Sequence, residues 1–273
     1  MGLTAMAGLA WVLAQQVSLW SGQGLGAASV EAAAEGFAAD RGQPVPVVVE
    51  LFTSEGCSSC PPADRLLSEL AEQPIEGVRI IPLSLHVDYW NRLGWKDPYS
   101  DAQYSKRQRT YGELMRLRSV YTPQMVVDGR REFVGSNRGK ALREIKAAAS
   151  QSRPLMEVEV LDQPGENRIR LALRLDKLPD KYRAPLELML AVTEYGLGMQ
   201  VTAGENRGRR LAHDAVVRQL GSAVRLPQDA EDPFDYRATV RLKPEWKRDN
   251  LQVVAFLQDA QGAIHAAGTA SLR

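Results

Sequence analysis

Cysteine and histidine are scarce in this chain, at two and three residues of 273. Two cysteines cannot build a multi-bridge disulfide framework. A single C-x-x-C also falls short of the four ligands that a structural zinc site needs. Neither sign of charge dominates: Lys and Arg total 34, Asp and Glu 33, for a net charge of +1. That balance lacks the basic excess of a nucleic-acid binder. No long block of like charge occurs. The densest basic stretch, "GENRGRR" from Gly204 to Arg210, reads as a solvated loop rather than a phosphate site. Charge is missing altogether before Glu31. Leu3 to Leu13 is apolar enough for the core of a signal peptide, but Gln15, Gln16 and Ser18 interrupt it before the ~20 residues of a membrane span. No Lys or Arg precedes that core, and Gly24 to Ser29 offers small residues for cleavage. Residues 1–44 are therefore expected to be a signal peptide, or an uncleaved N-terminal membrane anchor, followed by a flexible leader. Export to the periplasm or beyond would put the cysteines where disulfides persist.

The remainder has the composition of an ordinary globular protein, with 44% apolar and 25% charged residues. "VPVVVELF" (Val45 to Phe52) is the continuous apolar run of a strand buried on both faces. Pro62 to Gln73 places Ala63, Leu66, Leu67, Leu70 and Ala71 on one helical face, and Pro61 and Pro62 suit a first helical turn. Val78 to Asp88 reads as a second strand, placed at a sheet edge because Pro82 lacks a ladder donor. "SDAQ" (Ser100 to Gln103) has capping-box spacing and opens a helix predicted to reach Arg118, with Tyr104, Tyr111, Leu114 and Met115 buried. Pro123 to Gly135 has the form of a β-hairpin turning at Asp128-Gly129. A last helix starts near Asn137 and buries Leu142, Ile145 and Ala149. The order over residues 45–151 is β-α-β-α-β-β-α. Residues 153–273 carry alternating strands separated by turn signals, the pattern of an antiparallel sandwich-like domain. Periodicity leaves Leu211 to Leu220 as either strand or short helix.

Both cysteines, Cys57 and Cys60, lie between the first strand and the first helix. Positions i and i+3 on a helical turn sit about 5–6 Å apart, the separation a disulfide wants, so the pair can open and close with little backbone movement. The free N–H groups and dipole at a helix start favour a thiolate. That gain falls mainly on Cys57, which would attack, while Cys60 would resolve the mixed disulfide. The hydroxyls of Ser54, Ser58 and Ser59 are expected to cap the helix.

With "YTPQMVVDG" (Tyr121 to Gly129) added, residues 45–151 resemble a thioredoxin-like domain. The resemblance implies a cis peptide bond at Thr122-Pro123, facing the C-x-x-C and pairing with an extended substrate. "LFTSEGCSSCPPAD", "HVDYWNRLGWKDPYS" and "GENRGRRLAHDAVVRQL" together resemble an uncharacterised bacterial family of exported thioredoxin-like proteins, domain of unknown function 1223. That family brings no activity with it. The chain departs from ordinary thioredoxins in its Ser58-Ser59 dipeptide and in having Glu55-Gly56 before the motif.

Three functions compete. The first is a thiol–disulfide oxidoreductase of the cell envelope, using Cys57, Cys60, Thr122 and Pro123 on protein thiols or disulfides, with no cofactor. His86 and Asp88, at the end of the second strand, would support it near the sulfurs, unless His86 is simply satisfied by backbone at the strand end, and Glu55 would be a loop residue or a proton carrier for Cys60. Trp90, Trp95 and Tyr121 are packing residues or the lining of a substrate groove. The second is a metallochaperone-like module that holds Cu(I) or Zn(II) through Cys57, Cys60 and His86. The third is a non-catalytic interaction protein. His213 and His265 enter the site only if the β-rich half closes over the cysteine loop.

Overall fold

The computed structural model describes residues 21–23, 43–178, 185–227 and 230–272. Apart from 21–23, 43 and 44, the expected signal peptide and leader lie outside the described residues. The chain is mixed α/β and mostly sheet. Its elements are β1 (Ser21–Gln23), β2 (Val45–Thr53), α1 (Pro61–Glu72), β3 (Val78–His86), α2 (Ala102–Leu114), β4 (Gln124–Val127), β5 (Arg131–Val134) and α3 (Arg138–Ala149). There follow β6 (Met156–Asp162), β7 (Arg168–Leu175), β8 (Leu186–Glu194), β9 (Leu197–Gln200), β10 (Arg210–His213), β11 (Val216–Arg225), β12 (Phe234–Arg241), β13 (Leu251–Asp259) and β14 (Ile264–Ser271).

One sheet of eight strands runs β14-β13-β8-β11-β3-β2-β4-β5. It crosses the sequence position where the β-rich half begins, so strands from both halves share one ladder. The strands β6, β7 and β12 of the β-rich half form a second sheet with β1, in the order β1-β12-β7-β6, and β9 and β10 form a separate two-stranded ribbon. Alternation along β2 explains its unbroken apolar sequence. Val47, Val49 and Leu51 pack under α1 and α3, while Val48 and Phe52 join Tyr104 and Tyr111 of α2 on the opposite face. A third core fills the space between the two sheets, with Leu171 and Val240 on one side and Leu188, Leu190 and Val253 on the other. The β-rich strands are thus packed sheet on sheet, but half of that sandwich is an extension of the first sheet.

Several local expectations need correction. β3 is interior, not an edge. Its partner β11 meets it at a single bridge, Val216 to Ser84, where Ser84 N–H donates to the Ala215 carbonyl. Pro82 lies two residues away, so its nitrogen faces the same side just beyond that bridge, where no ladder donor is required. The cap of α2 is Asp101, which accepts from Gln103 N–H at 2.8 Å, one residue later than the Ser100 start. That helix stops at Leu114, short of Arg118, and Arg116 turns left-handed at φ 55. Leu114 is 41% exposed, because it falls beyond the stripe that Tyr104 and Tyr111 bury. Residues 211–220 are neither one strand nor a helix. Ala215, at φ 51, breaks them into β10 and β11. Asn137 caps α3 as expected, accepting from Lys140 N–H at 3.0 Å.

Candidate functional site

The site grows from the loop between β2 and α1. Cys57 and Cys60 are joined by a disulfide, with Cα atoms 5.4 Å apart, inside the range such a bridge requires. Cys60 is itself the N-cap residue of α1, and no side chain caps the helix. Pro61 and Pro62 occupy its first turn and remove donors that a cap would otherwise satisfy. The serines therefore do other things. Ser54 Oγ accepts from Gly56 N–H at 3.1 Å, and Ser59 Oγ lies 3.4 Å from Cys57 Sγ. Both cysteines are 0% exposed, while Ser58 and Ser59 face solvent.

Beside the cysteine loop lies a buried cluster of acids and imidazoles. Parallel pairing sets Thr53 opposite His86, which brings the end of β3 alongside the residues leading to Cys57. His86 Nδ1 lies 2.7 Å from Asp97 Oδ2. Burial disfavours charge on His86, but Asp97 and, further off, Asp64 and Glu55 outweigh it and raise its pKa above the ordinary histidine value. Burial pushes Asp97 upward, yet His86 and the N–H groups of Glu55 and Tyr99 hold its carboxyl below the usual range. Asp64, on α1, is raised by burial against the pull of His213 and His86, and it accepts from Thr53 Oγ1 at 2.7 Å.

Glu55 sits on the loop, as expected, and is wholly buried there. Its Oε2 accepts from Trp95 Nε1 at 2.7 Å, and its Oε1 lies 3.2 Å from His213 Nε2. The ring of His213 sits 4.9 Å from that of His86. The second half does close over the cysteine loop, and the condition for a role of His213 is met. Sequence reasoning missed Asp97, Asp64 and Asn206 as members of the site, and admitted His213 only on that condition. The one signal was scarcity: two of only three histidines meet here. His265, the third, pairs with Asp259 at 2.8 Å on the β13–β14 hairpin.

The Thr122-Pro123 bond is cis. A methyl placed on Gly135 would meet Leu51 at 2.7 Å and both Pro123 and Ala63 at 3.2 Å, so Gly135 lies close to both the proline and the first turn of α1. Trp90 donates from Nε1 to Thr122 Oγ1 at 2.8 Å and lies against Gly56, whose added Cβ would be 3.1 Å from it. Trp90 thus bridges the cysteine loop and the proline loop. Tyr121 turns away, donating to Glu132 at 2.5 Å. Asp88 also leaves the site: its carboxylate accepts from Ser105 of α2 at 2.5 Å.

The stretch read as a solvated loop is partly built in. Asn206 is 0% exposed, and its Nδ2 donates to the carbonyls of Glu55 at 2.8 Å and Cys57 at 2.9 Å. Ser58 N–H donates to Glu205 at 2.9 Å. Among the described residues no three His, Cys, Asp or Glu side chains are grouped as a metal ion would require. The sulfurs are bonded to each other, and His86 Nδ1 is turned to Asp97.

Fold and site together define a mixed α/β protein with a buried C-x-x-C disulfide at a strand-to-helix junction. A family model described as "Protein of unknown function (DUF1223)" matches residues 48–258, and the chain belongs to that family. No curated protein matches it significantly. Among solved structures it is similar to protein AGR_C_4864 from Agrobacterium tumefaciens, at 22% identity and a TM-score of 0.65, over 85% of this chain and 96% of that one. It is also similar to HBP35 of Porphyromonas gingivalis, at 16% identity and a TM-score of 0.60, over 84% of this chain and 76% of that one. At such identities the likeness speaks for the fold alone. No helix among the described residues is long and apolar enough to cross a membrane.

Proposed function

We propose that the protein is a thiol–disulfide oxidoreductase of the cell envelope, exported by its N-terminal segment, with Cys57 and Cys60 as the exchanging pair on a thioredoxin-like module of residues 45–151. One observation carries this: the only two cysteines are bonded to each other across three residues at the start of α1. In the oxidising direction a substrate thiolate attacks Cys57 Sγ, and the Cys57–Cys60 bond breaks with Cys60 leaving as a thiolate. A second substrate thiol, losing its proton, then attacks its own sulfur in the mixed disulfide and releases Cys57. The substrate gains a disulfide, and the protein keeps two electrons and two protons as thiols. The reverse sequence makes Cys57 the nucleophile and Cys60 the resolving thiol. The helix N-terminus and a protonated His86 both favour negative charge on this loop.

Equilibration in glutathione buffers, followed by alkylation and counting of free thiols, tests the proposal. The two cysteines are expected to titrate together at about −120 to −270 mV, the span of exchange proteins. Cys57→Ser is expected to abolish exchange, and Cys60→Ser to trap a mixed disulfide. The full burial of both sulfurs favours a second reading, a stapling disulfide in a non-catalytic interaction protein. A potential below about −300 mV would decide for the staple.

A further inference from the structure

We propose that residues 201–209, the strap joining β9 to β10, are a latch that governs access to the Cys57–Cys60 disulfide, with Asn206 as its catch. Its use in the cell rests on the oxidoreductase reading; its control of access does not. The strap is a closed body. Val201 N–H donates to the Arg209 carbonyl and Gly208 N–H to that of Val201, which shuts its base. Arg209 also donates to Asn206 Oδ1 at 3.1 Å, so the catch is aimed from within the strap. The ribbon that carries it hydrogen-bonds to neither large sheet. The strap beyond Val201 can therefore lift without breaking a strand ladder, as local openings require, while His213 of β10 stays seated against Glu55.

What holds it down is polar and concentrated on one short target. Asn206 spans the carbonyls of Glu55 and Cys57, and Glu205 accepts from Ser58. All three grips fall on the cysteine loop. Gly204 rests against Trp95, whose Cβ would lie 3.4 Å from a methyl placed there. Residues 202, 205 and 207–209 face solvent, whereas Val201 at the base and Asn206 are wholly buried. A disulfide that is 0% exposed cannot meet a second sulfur in line, so exchange requires an opening. Lifting the strap frees two backbone acceptors and one backbone donor beside Cys57. An extended polypeptide offers the complementary N–H and C=O groups, so a peptide partner stabilises the open form where a small thiol cannot.

The test compares oxidised full-length chain with its Asn206→Ala and Glu205→Ala variants. Each is reduced by dithiothreitol or by a reduced protein dithiol, and alkylation reports free thiols with time. The reductant supplies two electrons and two protons: one of its sulfurs attacks Cys57 Sγ, the Cys57–Cys60 bond breaks, and its second thiol closes a new disulfide on the reductant. Asn206→Ala is expected to be reduced about tenfold faster by the protein dithiol, the effect of losing a catch of ordinary hydrogen bonds. The gain with dithiothreitol is expected to be smaller, and Glu205→Ala to fall between. Unchanged rates in a folded Asn206→Ala variant overturn the latch. If that variant does not fold, Glu205→Ala decides, read with amide exchange of the wild-type strap. Unchanged reduction there, or strap amides that exchange only through global unfolding, overturns it. A strap that opens on a chain unable to exchange with protein disulfides keeps the latch and removes the oxidoreductase reading.

Discussion

His86 stands where burial and charge pull in opposite directions, and the carboxylates win. With its pKa raised above about 6.5, the ordinary value, its protonated form is favoured by folding. The contribution to stability is complete below about pH 6.5 and is lost as pH rises through the elevated folded value. Asp97, held low, adds nothing to that slope, because its own contribution fails only in acid. Urea midpoints of the oxidised protein are therefore expected to fall from pH 6 toward pH 9. His86→Gln removes that decline, and Asp97→Asn shrinks it by removing the partner that keeps the proton on. An identical decline in all three proteins would place its origin elsewhere. Asp97→Ala should be the costlier change at pH 6, by about 1–3 kcal/mol, since it leaves His86 Nδ1 and the N–H groups of Glu55 and Tyr99 without their acceptor. Of these residues the sequence pointed to Glu55, next to the C-x-x-C, and to His86, at the end of the strand expected beside β2, and to His213 only if the halves close. Asp97, eleven residues after His86, and His213, in the other half of the chain, reach the site only through packing.

Elements with strong local signals were legible. The apolar run of β2, the prolines of α1, the Asn137 cap and the Asp128-Gly129 turn all fall where pattern put them. Elements whose fate depends on a distant partner were not. Pro82 argued for an edge, and only the single bridge between β3 and β11 reconciles that proline with an interior strand. The loop of 204–210 looked solvated because its arginines are; the asparagine among them is the residue that docks. The turn at Asp128-Gly129 joins both kinds of information. Both residues take left-handed φ, 46 and 64, and a methyl on Gly129 would lie 1.8 Å from the Gly262 carbonyl oxygen. The same turn receives Ile264 N–H on the Asp128 carbonyl at 3.0 Å, and Asp128 accepts from Val48 N–H and Arg153 as well. Gly129→Ala thus combines a disfavoured φ with a backbone clash between the halves. It is expected to cost about 2–4 kcal/mol, read as a lowered urea midpoint. A loss under 1 kcal/mol would mean that the β13–β14 turn yields easily.

At the scale of the whole molecule, the two sequence halves are distinct in pattern and joined in space. Strands β8 and β11 carry the eight-stranded sheet from one half into the other. Arg107 of α2 reaches Glu50 of β2 at 2.6 Å and Gln258 of β13 at 3.0 Å, with Tyr111 donating to Glu50 at 2.5 Å. The ion pair lies within the first half and is tied to the second by Gln258, and a buried pair is costly to break from either side. The site has the same dependence, since β10 supplies His213 and the strap supplies Asn206. The halves should therefore unfold together. Tryptophan gives the means to see it, because Trp90 and Trp95 lie beside the cysteine loop and Trp246 is buried in the core between the sheets. With Trp11 and Trp20 replaced by Phe in both proteins, Trp246→Phe leaves reporters in the first half, and the double change Trp90→Phe with Trp95→Phe leaves Trp246 alone in the second. If the shared sheet couples the halves, urea curves by fluorescence are expected to coincide with those by far-ultraviolet dichroism within each variant, as a two-state transition requires. Separated midpoints would show that the ladder between β3 and β11, one bridge wide, is a seam at which the molecule divides.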